Sequence, residues 1–477
     1  MSNGLIDKLG LSKLQESRYE EIQKVYLNDN RPWVVGYSGG KDSTSVVQLI
    51  FYALMDLAKK QGYDKLKKPV HIVSSDTLIE NPLIIDYIEK NMKAIEKKGQ
   101  ELGLPIYSHI AQPKRSDTFW SLLIGKGYPS PRQKFRWCTS RLKIDPIDVF
   151  IKQQIDSHGE VIVVLGVRSQ ESQSRANSIK SHTIEGRILK KHTSTSNAFV
   201  YAPIEDFSLD DVWGYLLQRD NPWGCKNQEL FNLYADSKDS SECPLQTTEN
   251  APSCGNSRFG CWVCTVVKED KSLTGFIKSG NKELKPLLEF RNRVVQMRDN
   301  IDYRMQRRMN GSIYYLTNES GEKRKGLGPF NLKARKEMLK LLLETQVKAK
   351  KIANKLGKNT NLELIKPYEL ENIRSHWIDN GDWEDSLPKI YEEVMKKEYN
   401  HSSQYEERTL MQIDDLKRLS NICSQEDIDP EIIKKLISIE NNYYGLKARN
   451  GILKKIDTTL KQDWVHEEVV EYMEQYK

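Results

Sequence analysis

The sequence predicts an α/β protein with a parallel sheet, joined to a cysteine-rich metal-binding segment and a helical C-terminal region. Three observations carry that expectation. Short apolar runs alternate with helix-length amphipathic stretches over roughly residues 20–220, five of the seven cysteines fall within a 40-residue stretch, and the remainder reads as long polar helices.

Trp33–Tyr37 is a short apolar run that ends in a glycine-rich turn. Val46, Val47, Ile50, Leu54 and Leu57 then recur at helical spacing between Ser43 and Lys60. Val70–Ser75 predicts a second strand, about Leu83 to Leu102 a helix, and the residues around Ile106 a third strand. Val161–Gly166 is purely aliphatic at its start, as a strand buried on both faces must be. Strands alternating with helices of this length predict a parallel sheet covered on both sides. From Asn221 to Lys271 the chain turns to Pro, Gly, Ser, Asn and Cys with little periodicity, which predicts a segment organised by a metal. Leu332–Leu356 and Glu431–Leu460 are each expected as one helix. The expected domains are therefore 1–220, 221–271 and 272–477.

Composition narrows the class. Of 477 residues 38% are hydrophobic and 29% charged, and the N-terminal stretch lacks a basic region followed by an apolar one. No run approaches the roughly 18 apolar residues of a membrane helix. The expectation is a soluble, cytoplasmic protein without a membrane partner. Net charge is only +7, but residues 271–350 hold 19 Lys and Arg against 8 Asp and Glu. Within that stretch Arg304, Arg307 and Arg308 interleave with Tyr303, Tyr314 and Tyr315, a pattern that suits nucleic acid.

Ser38-Gly39-Gly40-Lys41-Asp42-Ser43-Thr44 lies where the first strand gives way to a helix. Free backbone N–H groups and the positive end of the helix dipole meet an anion there. The glycines let the backbone approach phosphate oxygens, Ser38, Ser43 and Thr44 add hydroxyls, and Lys41 adds charge. It is not a Walker A loop: the spacing from Gly36 is one residue short, and Asp42 stands at the magnesium-binding Ser/Thr position. Arg168 and Arg175, seven apart, would share a helix face and meet the same phosphates. Asp76 is placed to hold magnesium or a ribose hydroxyl.

The SGGKDS run resembles the pyrophosphate loop of the adenine nucleotide α-hydrolase superfamily, the PP-loop ATP pyrophosphatases. Ser75-Asp76-Thr77 with Glu80 looks like that superfamily's nucleotide-contacting turn. Arg136-Trp137-Cys138-Thr139, then Leu142-Lys143 and Pro146-Ile147, resembles the phosphoadenosine phosphosulfate (PAPS) reductase family. So do Gly166-Val167-Arg168-Ser169-Gln170-Glu171-Ser172 with Arg175-Ala176, and Pro203-Ile204-Glu205-Asp206 with Asp210, Asp211, Val212 and Trp213. The resemblance implies ATP and Mg2+ as ligands. It points to Ser38, Gly39, Gly40, Lys41, Ser43, Thr44, Asp76, Arg168, Glu171 and Arg175 as nucleotide-binding residues.

Cys243, Cys254, Cys261 and Cys264 are spaced C-x10-C-x6-C-x2-C. Four thiolates close either a tetrahedral zinc site or a [4Fe–4S] cluster. Zinc is the default for spacing alone. A single C-x2-C and the adjoining nucleotide site argue for the cluster. Cys138 is an extra thiol: a ligand, a persulfide carrier or a small buried hydrophobe. Packing is the expectation for Cys225 and Cys423.

Taken with Cys254-Gly-Asn-Ser-Arg-Phe-Gly-Cys261-Trp-Val-Cys264-Thr and Leu327-Gly-Pro-Phe-Asn-Leu-Lys-Ala-Arg335, the chain resembles the DndC-type sulfurtransferases of DNA phosphorothioation. That resemblance implies ATP-dependent exchange of a backbone phosphate oxygen for sulfur, with Lys41, Asp42, Cys138 and Arg168 as catalytic residues. It also implies DNA, a cysteine desulfurase as sulfur donor, and other Dnd proteins as partners. The alternative is a reductase of sulfonucleotides (PAPS or adenylylsulfate), although this chain ends without the terminal cysteine motif of that family.

Overall fold

The computed structural model describes residues 4–171, 188–192, 195–237, 260–309, 311–317, 321, 323–358, 362–399, 413–426, 428–444 and 449–461. They divide into two units. The first comprises residues 1–114, 136–264 and 268–284, and the second residues 115–135, 265–267 and 285–477.

The first unit holds a six-stranded sheet. Its strands are β1 (Trp33–Gly36), β2 (Val70–Ser75), β3 (Ile106–Ala111), β4 (Val161–Val164), β5 (Lys190–Lys191) and β6 (Ala198–Tyr201), ordered β3-β2-β1-β4-β6-β5. All neighbours pair in parallel except the two-residue edge strand β5. Trp33 stands opposite both Val70 and Ile162, so β1 is the central strand. Its Val34 and Val35 are buried, as is all of β4, which explains the unbroken aliphatic runs. Val34, Val73, Val161, Val163 and Ala198 pack into one cluster with Ile151.

Helices α1 (Leu5–Leu9) and α2 (Leu11–Leu27) precede the sheet, α3 (Lys41–Gln61) follows β1, and α4 (Pro82–Glu101) follows β2. Asn81 starts α4 by accepting the Leu83 N–H, and Pro82 occupies its first position. No side chain caps α3, because Gly40 stands at its N-cap. Next come α5 (Asp145–His158) and α6 (Leu209–Gln218), the latter begun by a capping box of Ser208 and Asp211.

Within the segment expected to lack regular structure, Asn227–Asp236 forms a helix, α7. Leu230 and Tyr234, four apart, bury one face of it, so ordinary apolar packing orders those ten residues. A short helix α8 (Lys271–Lys278) lies against its end, where a Cβ on Gly275 would come within 2.6 Å of the Ser237 backbone.

The second unit is helical. Helix α10 (Leu332–Lys355) packs against α9 (Lys285–Asp299) and α12 (Ser386–Met395), with α11 (Pro367–Asp379) near the wide turn Ser121–Gly125. Trp120 donates to the Leu364 carbonyl at 2.7 Å and Trp377 to the Ile124 carbonyl at 2.9 Å. The helix expected over Glu431–Leu460 is instead two. After α13 (Ile413–Gln425), α14 (Pro430–Asn442) stops at an Asn pair, and α15 (Ile452–Leu460) restarts after Gly451 at φ +85°. Among the described residues no helix is long and apolar enough to cross a membrane.

Candidate functional site

Strand order reverses between β1 and β4: the chain runs outward to β2 and β3 on one side and to β6 on the other. Loops leaving the carboxyl ends of two such strands diverge and open a crevice, where ligands of open α/β sheets bind. Residues 37–40 leave β1 at that point and residues 165–168 leave β4.

Two glycines make the crevice possible. Gly39 adopts φ +69°, and a Cβ there would lie 2.5 Å from Ile88 Cγ1. Gly166 presses the end of β4 onto the start of α3, where a Cβ would meet the Asp42 carbonyl at 2.9 Å. That approach lets Arg168, two residues on, donate from Nε to Asp42 Oδ1 at 2.6 Å. Lys41 Nζ lies 3.1 Å from the other oxygen, Oδ2. Two of the three cations expected to meet phosphate, Lys41 and Arg168, are thus held on one carboxylate, and Arg168 is buried. The Ser43 hydroxyl accepts the Ser38 N–H at 3.2 Å and donates to the Gly40 carbonyl at 3.0 Å, tying the loop closed, while Thr44 is fully buried.

At the end of β2, Asp76 accepts the Leu78 N–H at 2.8 Å and a Gln112 N–H at 2.9 Å. Burial nevertheless pushes its carboxyl above the ordinary range. Leu78 takes φ +65°, a left-handed conformation that costs a non-glycine residue about 1 kcal/mol, so the turn is strained where Asp76 faces the crevice end of the sheet.

The same turn carries thiols. Thr77 Oγ1 donates to Glu80 Oε1 at 3.0 Å, and Lys143 Nζ lies 3.1 Å from that oxygen. Trp262 N–H donates to the Ile79 carbonyl, which sets Cys261 Sγ 3.6 Å from Thr77 Oγ1 and 3.9 Å from Glu80. Burial, with Glu80 adding, pushes the Cys261 thiol well up. Burial lowers Lys143, but Cys261 and Glu80 outweigh it and hold the ammonium above its usual range. Cys264 N–H closes a tight turn onto the Cys261 carbonyl at 3.0 Å. Cys138 is pushed up first by burial and next by the charge of Cys264.

Two thiols on one tight turn, Cys261 and Cys264, suit a soft metal such as zinc or iron as a partial ligand set. Cys243 and Cys254 lie outside the described residues, as does Arg175, and nothing is described of the Glu171 side chain. Among the described residues no three His, Cys, Asp or Glu side chains group as a metal site. Cys423 is buried, in line with packing; Cys225 is only partly buried.

Sequence reasoning missed Tyr234. Its hydroxyl accepts the Lys41 N–H at 3.3 Å, and its ring lies 5.4 Å from the Lys41 ammonium. The i, i+4 pair Leu230–Tyr234 was the available signal. Gln112 and Glu80's pairing with Lys143 carried none.

The basic stretch is also thinner than its charge count implies. Arg291, Arg304 and Arg335 are buried and donate to the carbonyls of Val267, Gly328 and Gly125. Burial pushes Arg304 down to about 10. These cations hold backbone in place and are not available to a partner.

Residues 32–267 match the phosphoadenosine phosphosulfate reductase domain. This part of the chain is similar to PAPS reductase domains. An uncharacterized protein of Methanocaldococcus jannaschii is 27% identical over 211 residues, which cover 44% of this chain and 36% of that protein. The chain thus spans about a third of the length of the curated relative it matches. Among solved structures, the PAPS reductase of Candida auris in a phosphate complex is 14% identical, covering 44% of this chain and 86% of that one with a TM-score of 0.26. The U34-tRNA thiolase NcsA of Methanococcus maripaludis with its [4Fe-4S] cluster is 14% identical, covering 62% and 83% with a TM-score of 0.27.

Proposed function

We propose that the protein is an ATP-dependent sulfurtransferase that replaces a non-bridging oxygen of a DNA backbone phosphate with sulfur. The observation that carries the reading is the joining of two chemistries at the carboxyl end of one sheet: Lys41 and Arg168 on Asp42 after β1 and β4, and the Cys261–Cys264 turn beside the strained Asp76 turn after β2, with Cys138 close enough to feel the Cys264 charge. A nucleotide domain that only bound DNA would have no use for that set of thiols.

The DNA oxygen attacks the α-phosphorus of MgATP, and the bond from that phosphorus to the bridging oxygen breaks, so pyrophosphate departs with the electron pair. Lys41 and the N–H groups at the start of α3 stabilise the charge it gains, and Arg168 turns from Asp42 to the phosphates. Asp76 holds the metal or the ribose. The oxygen to be lost now leaves as AMP. A persulfide placed on Cys138 by a cysteine desulfurase bonds through its terminal sulfur to the DNA phosphorus as AMP departs. Attack by an external thiolate on Cys138 Sγ then breaks the S–S bond, frees the phosphorothioate and leaves a mixed disulfide that a second thiol reduces. A [4Fe–4S] cluster or zinc held by Cys261, Cys264 and the preceding Cys243 and Cys254 would have every ligand position filled by thiolate and would order this segment. Other Dnd proteins would complete the modifying assembly.

The test supplies MgATP, DNA, cysteine and a desulfurase, then measures pyrophosphate and digests the DNA for mass spectrometry. Phosphorothioate dinucleotides with matching pyrophosphate are expected. Absence of both sinks the reading. The domain match favours one rival, reduction of a sulfonucleotide, and sulfite formed from PAPS and thioredoxin would establish it instead.

A further inference from the structure

The second unit contains a cleft of about 1160 Å³, enclosed by residues 129–135, 299–309 and the hairpin of β7 (Tyr315–Thr317) and β8 (Lys323–Lys325). That exceeds the roughly 300–1,000 Å³ of small-molecule sites, so its size suits a polymer segment. Five cationic side chains line it besides the buried Arg304, which is held on the Gly328 carbonyl: Arg132, Arg308, Lys323, Arg324 and Lys325. Among the described residues the only carboxylate in the lining, Asp299, already pairs with Arg132 at 2.5 Å and Arg298 at 2.9 Å. Lys323 and Arg324 are exposed and make no ion pair among the described residues.

Apolar groups are interleaved with these charges. Phe135, Ile301, Met309 and Leu316 are each about half exposed on the lining, and Arg308 lies 4.5 Å over the Tyr314 ring. Gly326 makes room for that ring, since a Cβ there would lie 2.1 Å from it. Tyr314 donates to the Leu327 carbonyl at 2.9 Å, which fixes the wall. Cations alone would suit any polyanion. Cations among exposed aromatic and apolar faces suit one whose bases are unstacked.

We propose that this cleft binds a single-stranded stretch of DNA, with Lys323, Arg324 and Arg308 on its phosphates and Phe135 against a base. It rests on the sulfur-insertion reading only for the choice of DNA, and it assigns a recognition surface outside the nucleotide domain. Fluorescence anisotropy of the full chain with labelled 20-mers tests it. The single strand is expected to bind at least tenfold tighter than the duplex. The double variant Lys323→Ala/Arg324→Ala is expected to bind about tenfold more weakly at 100 mM salt, with the logarithmic salt slope smaller by one to two. Lys323→Arg/Arg324→Lys should restore both, and Phe135→Ala should cost about fivefold without changing the slope. Unchanged affinity and slope in the double variant, or equal binding of duplex and single strand, overturns the assignment. Wild-type protein that binds no DNA at 50 mM salt removes the sulfur-insertion reading itself, whereas tight binding unaffected by the variants removes only this location.

Discussion

The crevice of the first unit and the cleft of the second both gather positive charge, yet they do so in opposite ways. In the crevice Lys41 and Arg168 are largely buried, short of water and pinned to Asp42. In the cleft Lys323 and Arg324 stand exposed on a hairpin. Pinned, desolvated charges act strongly on one group at a fixed place, as a departing pyrophosphate requires. Exposed, screened charges act weakly and in numbers, as a polymer that slides requires. The difference teaches that charge counted along a sequence does not separate a chemical site from a gripping surface; burial does.

The comparison is most open to breakage at Lys41. Lys41→Ala should lower pyrophosphate release by about 100- to 1,000-fold while leaving DNA affinity unchanged. A loss of DNA binding instead would merge the two sites.

The next effect tests whether buried charge in the second unit behaves like that in the first. Glu369 is buried, and burial pushes its carboxyl from 4.5 to about 7 even though the Lys366 N–H donates to it. The folded state therefore holds the proton more tightly than the unfolded chain, and stability falls as pH rises from about 4.5 through 7. The cost approaches about 3 kcal/mol at neutral pH. Glu369→Gln should flatten denaturant midpoints over that window, and an unchanged pH slope would refute the assignment.

Asp42 and Arg168 offer a smaller, sharper measurement. A double-mutant cycle on Asp42→Asn and Arg168→Met should give about 1–3 kcal/mol of coupling in unfolding free energy, and the exposed, solvent-screened pair Lys340–Glu393 a clearly smaller one. Equal couplings would erase the distinction between pinned and exposed charge.

His71 gives the smallest effect. Burial, with the neighbouring His109 adding, lowers it to about 4, and the two rings share a 3.0 Å contact. The folded state resists protonation, so stability is full above about 6.5 and is lost as pH falls toward 4. His71→Gln should remove part of that acid sensitivity, seen in thermal midpoints between pH 6.5 and 4.5.

Much of this was legible before any coordinates. The four runs Trp33–Tyr37, Val70–Ser75, Ile106 and Val161–Gly166 became β1 to β4, because a strand buried on both faces must be apolar at every position. Helix α7 was not legible, since its apolar residues crowd into positions 230–235 and leave no repeat over the ten residues. The break between α14 and α15 turns on Asn441-Asn442 and Gly451, whose effect competes with apolar spacing on either side.

By itself the sequence determined the glycine loop, the residues able to hold phosphate, the thiols able to hold a metal or sulfur, and the parallel sheet. Those follow from local chemistry and from periodicity, which neighbours along the chain express. Only the tertiary structure decided that Arg168 would sit on Asp42, that Tyr234 would face Lys41, and that Cys261 would lie against Thr77 and Glu80. It also decided which arginines of the basic stretch are spent on buried carbonyls and which remain in the cleft. Partners separated by as many as 210 residues are chosen by how strands order and helices pack, and nothing local to either residue records that choice.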